Sequence, residues 1–307
     1  MKFNLTKGLS FRALRNRRRE RNWAGPGSIP KPFYHPEDIR ALHVFFSEAK
    51  KRPGMYPDGV DSLHGECFVC GHSVDFHIEQ PPQGGEVNWR ETLSCPGCGL
   101  INRWRGCIHL FEALCQPTRR DRIYLTETLT PVYAELSKRY PKLTGSEFLP
   151  EGKPGELLRI QGKKVRNEDV TALSFDDRSF DSVLCFDVLE HVPDYRGALR
   201  EFARVLAPGG QLLLSVPFSF QPETRVRAVL EDDGEIRHIE EPCYHGDPLS
   251  DEGVLSFYDF GLELLDEMKA AGFDEAFILC FQSIRWAYLQ ENVAFIARKL
   301  THPPVAD

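Results

Sequence analysis

The spacing of apolar positions changes along the chain and predicts two kinds of structure. From Arg122 onward, short apolar runs alternate with stretches in which apolar residues recur at helical spacing. The runs predict strands at 122–127, 143–149, 165–170, 180–186 and 211–217, and the stretches between them predict helices at 130–140 and 195–206. Such alternation is typical of a parallel sheet covered by helices on both faces.

The end of the chain departs from this alternation. A helix is predicted at 259–271 and strands at 276–281 and 293–299, with no helix between the two strands. Strands joined without a crossover helix pair antiparallel. We therefore predict an α/β fold with a doubly wound, seven-stranded, mostly parallel sheet.

The first third of the chain has a different organisation. Gly and Pro are dense at 23–32, which predicts a linker after a basic tail. Helices are predicted at 35–52 and 104–115, on either side of a polar, cysteine-containing segment. The predicted domains are residues 1–32 (tail and linker), 33–118 (helix and cysteine module) and 119–307 (α/β domain), the last with a substrate-side insertion at 218–258.

Composition and charge restrict the class of protein. The 307 residues are 41% hydrophobic and 27% charged, as in ordinary globular proteins. Because the chain has neither a long apolar stretch nor an apolar leader, we expect a cytoplasmic protein without a membrane span. Residues 1–22 carry eight Lys or Arg against Glu20, whereas the whole chain has a net charge of -7. Such a tail either is solvated, docks a partner or contacts nucleic acid. The net negative charge of the rest of the chain argues against nucleic acid.

Two cysteine pairs have the spacing of metal ligands. They are Cys67 with Cys70 and Cys95 with Cys98; each pair is followed by glycine, and 24 residues separate the pairs. Four such thiolates form a closed tetrahedral shell around Zn²⁺, which predicts a structural, zinc-ribbon-like module. Two disulfides in an exported protein are the alternative. The nearby histidines are expected at the surface rather than in the site: His64, His72 and His77.

Three segments of the α/β half resemble class I S-adenosylmethionine-dependent methyltransferases of the small-molecule type. They are 167–183, 187–194 (DVLEHVPD) and 204–212 (RVLAPGGQL). The resemblance extends over about residues 120–300. It implies a Rossmann-like methyltransferase fold, S-adenosylmethionine as the cofactor, and methyl transfer to an acceptor.

The resemblance also implies a set of cofactor contacts at the carboxyl edge of the sheet, where open α/β folds bind ligands. Asp169 matches the acid that accepts a hydrogen bond from the adenine amino group, and Val170 matches the residue that offers its backbone N–H to the ring. Glu147 matches the acid that binds the ribose hydroxyls. Asp187, which follows the next central strand, completes the predicted cofactor set with Glu127 and Thr128.

The first motif departs from the family pattern. Family members have an acid and three glycines after the first strand, whereas residues 127–133 read ETLTPVY. The acid, Glu127, is present and every glycine is replaced. Either the hydroxyl of Thr128 or Thr130 replaces the backbone contacts to the cofactor, or the cofactor does not bind. Thr130 followed by proline also forms a good helix start without any ligand.

Two histidines are candidate catalytic residues. His191 follows the fourth strand at the same sheet edge, where a neutral imidazole can take a proton from an acceptor hydroxyl. His245 lies in the insertion, beside a Gly/Pro turn suited to holding a polar acceptor. The expected function is methyl transfer to a small polar molecule or glycan precursor. The alternatives are a catalytically inactive pseudo-methyltransferase that binds a partner, and an RNA methyltransferase.

Overall fold

A computed structural model describes residues 31–33, 41, 44, 47–48, 59–81, 85–247 and 250–301 of the chain. The basic tail and most of the helix predicted at 35–52 lie outside the described residues. Those that are described within that helix are helical: Ala41, Val44, Ser47 and Glu48. No helix in the described ranges is long and apolar enough to cross a membrane.

The described elements are numbered in chain order. The strands are β1 (Lys31–Phe33), β2 (Ser62–Cys67), β3 (His72–His77), β4 (Ile123–Leu125), β5 (Leu143–Gly145), β6 (Leu157–Ile160), β7 (Lys163–Arg166), β8 (Phe180–Phe186), β9 (Leu206–Ser215), β10 (Arg225–Val226), β11 (Ala228–Leu230), β12 (Ile236–His238), β13 (Tyr244–Asp247), β14 (Ser250–Leu255), β15 (Tyr258–Asp259), β16 (Glu275–Ser283) and β17 (Tyr288–Arg298). The helices are α1 (Asn102–Leu110), α2 (Pro131–Arg139), α3 (Tyr195–Val205) and α4 (Leu264–Ala270), with a π turn at Phe111–Cys115 and a 3-10 turn at Leu189–His191.

A seven-stranded sheet forms the centre of the molecule, in the order β1-β16-β17-β9-β8-β4-β5. Strands β5, β4, β8 and β9 pair parallel to one another. Strand β17 pairs antiparallel with both β9 and β16. The predicted fold class and the antiparallel last pair are therefore confirmed.

Two strands differ from the sequence-based prediction. Lys31 and Pro32 fall in the predicted linker but lie in β1, which pairs antiparallel with β16 at the sheet edge. The central strand predicted at 165–170 is wrong: this region forms the antiparallel hairpin β6–β7, and only one parallel bridge, Glu147 to Asn167, continues the main sheet. The reason is that β7 (KKVR) buries only Val165 and so lacks the apolar faces of a central strand.

The two faces of the sheet are covered by different material. Helices α3 and α4 pack on one face through Leu199, Phe202, Leu265 and Met268, all fully buried. The other face is covered by α2 and by the cysteine module, which includes α1. Both share one core with the sheet. The cysteine module therefore packs directly against the sheet.

Close packing between α1 and the sheet generates a stability prediction. A Cβ atom on Gly106 would lie 2.5 Å from Cε2 of Phe281, whose ring is buried. We expect Gly106→Ala to lower the free energy of unfolding by about 1–3 kcal/mol, because the core must shift to admit the methyl group. Gly246→Ala is the matched control, since nothing lies within 4 Å of its Cβ position. Equal urea-unfolding midpoints for the two variants would contradict this packing.

Candidate functional site

A cavity of about 1560 Å³ opens where the carboxyl ends of β4, β5, β8 and β9 meet. This volume exceeds that of ordinary single-ligand pockets and has room for a cofactor and an acceptor together. Seven of the eight predicted cofactor and catalytic residues line it: Glu127, Glu147, Asp169, Val170, Asp187, His191 and His245. Thr128 is the exception. It is buried beside the cavity and does not line it.

The loop that replaces the glycine-rich motif leaves the cavity open. The Glu147 carboxylate accepts hydrogen bonds from the backbone N–H groups of Thr128 at 2.7 Å and Leu129 at 2.8 Å through one oxygen, Oε1. Two successive N–H groups form a natural anion-binding nest, so this bond fixes the course of the loop. The Tyr133 ring packs against Gly145, where a Cβ would lie 2.6 Å from it, and Tyr133 does not line the cavity.

Thr130 caps the helix that follows this loop. Its hydroxyl oxygen accepts a hydrogen bond from the Tyr133 N–H at 3.4 Å, and Pro131 occupies the first helical position. The predicted helix start is confirmed, and it needs no ligand.

Glu127 is a buried acid on the cavity wall. Its residue exposure is 6%, and its Oε1 atom has no hydrogen-bond partner among the described residues. Burial raises the pKa of Glu127 to about 8. The carboxyl group therefore keeps its proton to a higher pH than an exposed glutamate does.

Asp169 lines the cavity from the short segment after the β6–β7 hairpin. Its Oδ1 accepts hydrogen bonds from the N–H of Thr171 at 2.8 Å and from the Thr171 hydroxyl at 2.7 Å. This turn fixes the carboxylate and presents Val170, its neighbour, to the cavity.

Asp187 joins the sheet to the cysteine module. Its carboxylate oxygens accept hydrogen bonds from Arg90 at 2.5 Å, Arg103 at 2.8 Å and the Ser215 hydroxyl at 2.6 Å. Burial alone would raise the pKa of Asp187, but Arg103 and Arg90 hold it below its ordinary range. Asp187 also has a left-handed backbone, with φ of 53°, a conformation that clusters at functional sites.

The cysteine module supplies part of the cavity wall that the sequence analysis missed. Arg90 and Arg103 line the cavity together with Glu91, which accepts hydrogen bonds from both guanidinium groups. No local pattern marks these arginines, because their partner Asp187 is more than 80 positions away in the sequence.

The two candidate catalytic histidines lie next to each other. The ring centroids of His191 and His245 are 5.0 Å apart, and both imidazoles face Glu190, whose side chain is fully buried. His191 Nδ1 lies 2.8 Å from the Leu255 carbonyl oxygen. Since a carbonyl only accepts, Nδ1 carries the proton and Nε2 is the basic nitrogen of the neutral ring. Glu190 was not predicted, although its place directly before His191 was a signal.

The four predicted metal ligands form one cluster. Their Sγ atoms all lie within 4.8 Å of one another, with Cys67 to Cys98 at 3.8 Å and Cys70 to Cys95 at 3.6 Å. A tetrahedral zinc site with bonds of about 2.3 Å has sulfur–sulfur edges of roughly 3.8 Å, so the donor set fits Zn²⁺. Gly71 and Gly99 have φ of 77° and 72°, the conformation that favours glycine after each pair. The three nearby histidines are exposed, as predicted: His64, His72 and His77.

Comparison with known protein families identifies part of this framework. Residues 132–214 match the family model of a methyltransferase domain. The matched segment begins in α2 and ends in β9, so it contains Glu147, Asp169, Asp187 and His191.

Curated relatives are methyltransferases that match over limited regions. Demethylmenaquinone methyltransferase of Deinococcus radiodurans is 36% identical over 123 residues, 38% of this chain and 50% of that protein. Ubiquinone biosynthesis O-methyltransferase of Xanthomonas oryzae pv. oryzae is 57% identical over 37 residues, 12% of this chain and 16% of that protein. The chain thus spans half or less of the length of these relatives.

Similar solved structures include the 1,6-didemethyltoxoflavin-N1-methyltransferase of Burkholderia thailandensis, with a TM-score of 0.40 and 18% identity over 64% of this chain and 78% of that one. An S-adenosylmethionine-dependent methyltransferase of Thermotoga maritima has a TM-score of 0.38 and 21% identity, over 64% and 90% of the respective chains.

The buried Glu127 carboxyl gives a pH-dependent prediction. Because its folded pKa is raised to about 8, the folded state binds a proton that the unfolded state releases above its lower pKa. The stability associated with this proton is complete at low pH and is lost as pH rises toward and through 8. We expect Glu127→Gln, which mimics the protonated acid, to raise the melting temperature relative to wild type more at pH 8.5 than at pH 5.5.

Glu235→Gln, an exposed position, is the control for this measurement and should show no such difference. A stability gain in Glu127→Gln that is the same at both pH values would contradict the assignment of a buried, protonated acid.

Proposed function

We propose that the protein is an S-adenosylmethionine-dependent methyltransferase that acts on a small polar, hydroxylated acceptor, which includes glycan precursors. The observation that carries the proposal is one open cavity that is lined both by strand-end acids and by His191 and His245 of the Glu190–His191–His245 cluster. The methyltransferase-domain match over residues 132–214 supports it. The names of the curated relatives, among them an O-methyltransferase, support a small-molecule acceptor.

The nucleoside end of the cofactor is assigned to the strand ends after β5 and β7. Asp169 and Val170 meet the adenine, and Glu147 meets the ribose while it also holds the loop. Glu127, whose Oε1 atom has no hydrogen-bond partner among the described residues, lines the same cavity. When bound, S-adenosylmethionine supplies a methyl group activated by a positively charged sulfur.

The acceptor end is assigned to the histidines. When no cation is bound beside it, His191 Nε2 accepts the proton of the acceptor hydroxyl, because Nδ1 carries the proton that is donated to the Leu255 carbonyl. The Glu190 carboxylate, with Oε1 3.8 Å from His191 Nε2, stabilises the imidazolium that results. The insertion at 218–258 contributes His245 and covers this end of the cavity.

The cysteine module is proposed to hold a structural Zn²⁺ through Cys67, Cys70, Cys95 and Cys98. Its role in activity is to hold the wall formed by Arg90, Glu91 and Arg103 against Asp187. We retain residues 33–118 as this module and 119–307 as the methyltransferase-like part.

One observation favours a second candidate function, a pseudo-methyltransferase that binds a partner. The first motif has no glycine, and an oxygen of Glu147, assigned to the ribose, is already bonded to two loop amides. Cofactor binding distinguishes the two candidates.

We expect calorimetric titration with S-adenosylhomocysteine to show micromolar binding to the wild-type protein. Asp169→Ala should weaken this binding at least tenfold, because a hydrogen bond to a charged group is worth about 1.5–3 kcal/mol. Asp177→Ala, at an exposed acid that does not line the cavity, should bind as wild type does. If wild type gives no heat at millimolar ligand, the enzyme proposal fails and the binding-module candidate is favoured.

Metal analysis tests the proposed zinc site. We expect purified protein to contain one tightly bound zinc per chain, and Cys70→Ser to lose it and to melt at a lower temperature, because zinc binding stabilises the folded module. Cys243→Ser, a cysteine outside the cluster, should keep the zinc. Folded wild-type protein without zinc would refute the assignment.

A further inference from the structure

We infer that Glu190, His191 and His245 bind a divalent transition-metal cation at the acceptor end of the cavity. One ligand atom from each of these residues lies within 4.8 Å of the others. Glu190 Oε1 is 3.8 Å from His191 Nε2 and 3.6 Å from His245 Nδ1. Small side-chain shifts bring such a triad to the ligand spacing of a bound cation. This site is distinct from the four-cysteine cluster.

The environment of Glu190 fits a bound cation. The residue is 0% exposed, and neither carboxylate oxygen has a hydrogen-bond partner among the described residues. Its ion-pair contacts in the described part of the chain are the two histidines, with no Lys or Arg. Protonation of Glu190 does not remove the cost of burial without a hydrogen bond, since the O–H of a buried carboxylic acid also needs a partner. A cation between Glu190 and the imidazoles satisfies the carboxylate.

The surroundings hold both histidines in a ligating arrangement. The Leu255 carbonyl at the end of β14 accepts the Nδ1–H of His191, and Nε2 lies 3.8 Å from Glu190 Oε1. Such outer hydrogen bonds are usual for metal-binding histidines. The backbone carbonyl of Glu190 accepts the N–H of Phe257. The end of β14 and the residues after it therefore fix both Glu190 and His191. Gly253, with φ of 76°, packs tightly on the His245 carbonyl across the β13–β14 hairpin.

The ligand chemistry selects the class of cation. Two imidazoles and one carboxylate suit first-row divalent ions such as Mn²⁺, Fe²⁺ or Zn²⁺, whereas Mg²⁺ and Ca²⁺ prefer all-oxygen sets. Three protein ligands leave coordination positions open, and His191 and His245 line the cavity. An oxygen of the hydroxylated acceptor fits these positions, where the cation lowers the pKa of the hydroxyl and its proton passes to water. This catalytic role rests on the proposed function, but the cation site itself does not.

The inference is tested by titrating with Mn²⁺ a protein that metal analysis shows to contain one zinc per chain, and by measuring the loss of the free-ion electron paramagnetic resonance signal. Mn²⁺ suits this triad better than it suits four thiolates. We expect one Mn²⁺ per chain in wild type and affinity at least tenfold weaker in Glu190→Gln and in His245→Asn. His238→Asn, an exposed histidine on β12 of the same insertion, is the matched control and should bind as wild type does.

Circular dichroism verifies that the variants are folded, and S-adenosylhomocysteine titration of the same samples separates this inference from the proposed function. Absence of Mn²⁺ binding in wild type, or equal binding in folded Glu190→Gln, overturns the cation site even if S-adenosylhomocysteine binds. Triad-dependent Mn²⁺ binding without S-adenosylhomocysteine binding supports the cation site and overturns the methyltransferase proposal.

Discussion

The buried carboxylate of Asp187 is held by two arginines from a part of the chain that precedes the sheet, and the shape of the cavity depends on this interaction. Asp187 is the first residue after β8, and Arg90 and Arg103 approach it from the cysteine module. Removing one partner of a buried ion pair lowers the free energy of unfolding by on the order of 3–5 kcal/mol, because it leaves a buried charge without compensation. The module is thus held to the sheet edge at the place where a ligand would bind.

This contact also links the cysteine cluster to the cavity. Asn102 begins α1 four residues after Cys98, and its side-chain amide donates hydrogen bonds to the carbonyl oxygens of Trp89 and Leu289. Arg103, the next residue, reaches Asp187. A fixed cysteine cluster therefore fixes the start of α1, and the start of α1 fixes the charge beside β8. The chain of contacts is short and made of buried polar groups, which have few alternative arrangements.

The sequence allowed prediction of those features that depend on local pattern. The continuous apolar run of β8 predicted a strand with the observed bounds, and two C-x2-C pairs predicted the cysteine cluster. The β6–β7 hairpin was missed because charged residues around Val165 matched a motif of the family while lacking the apolar faces of a central strand. Arg90 and Arg103 acquire their roles only through the distant Asp187, so no spacing marked them, whereas the position of Glu190 directly before His191 was a signal. His191 and His245 were predicted separately, and their contact depends on how the insertion folds back.

The replaced first motif and the acid after β5 are two parts of one structural solution. Glycines let a loop pass close to a ligand because they adopt conformations that other residues avoid. Here the loop has no glycine, and its course is set by Glu147, which accepts two consecutive backbone N–H groups through one oxygen. The bulky side chain of Tyr133 packs beneath the sheet edge against Gly145 instead of filling the cavity. The same carboxylate that the resemblance assigns to a ribose therefore also sets the course of the loop beside the cavity.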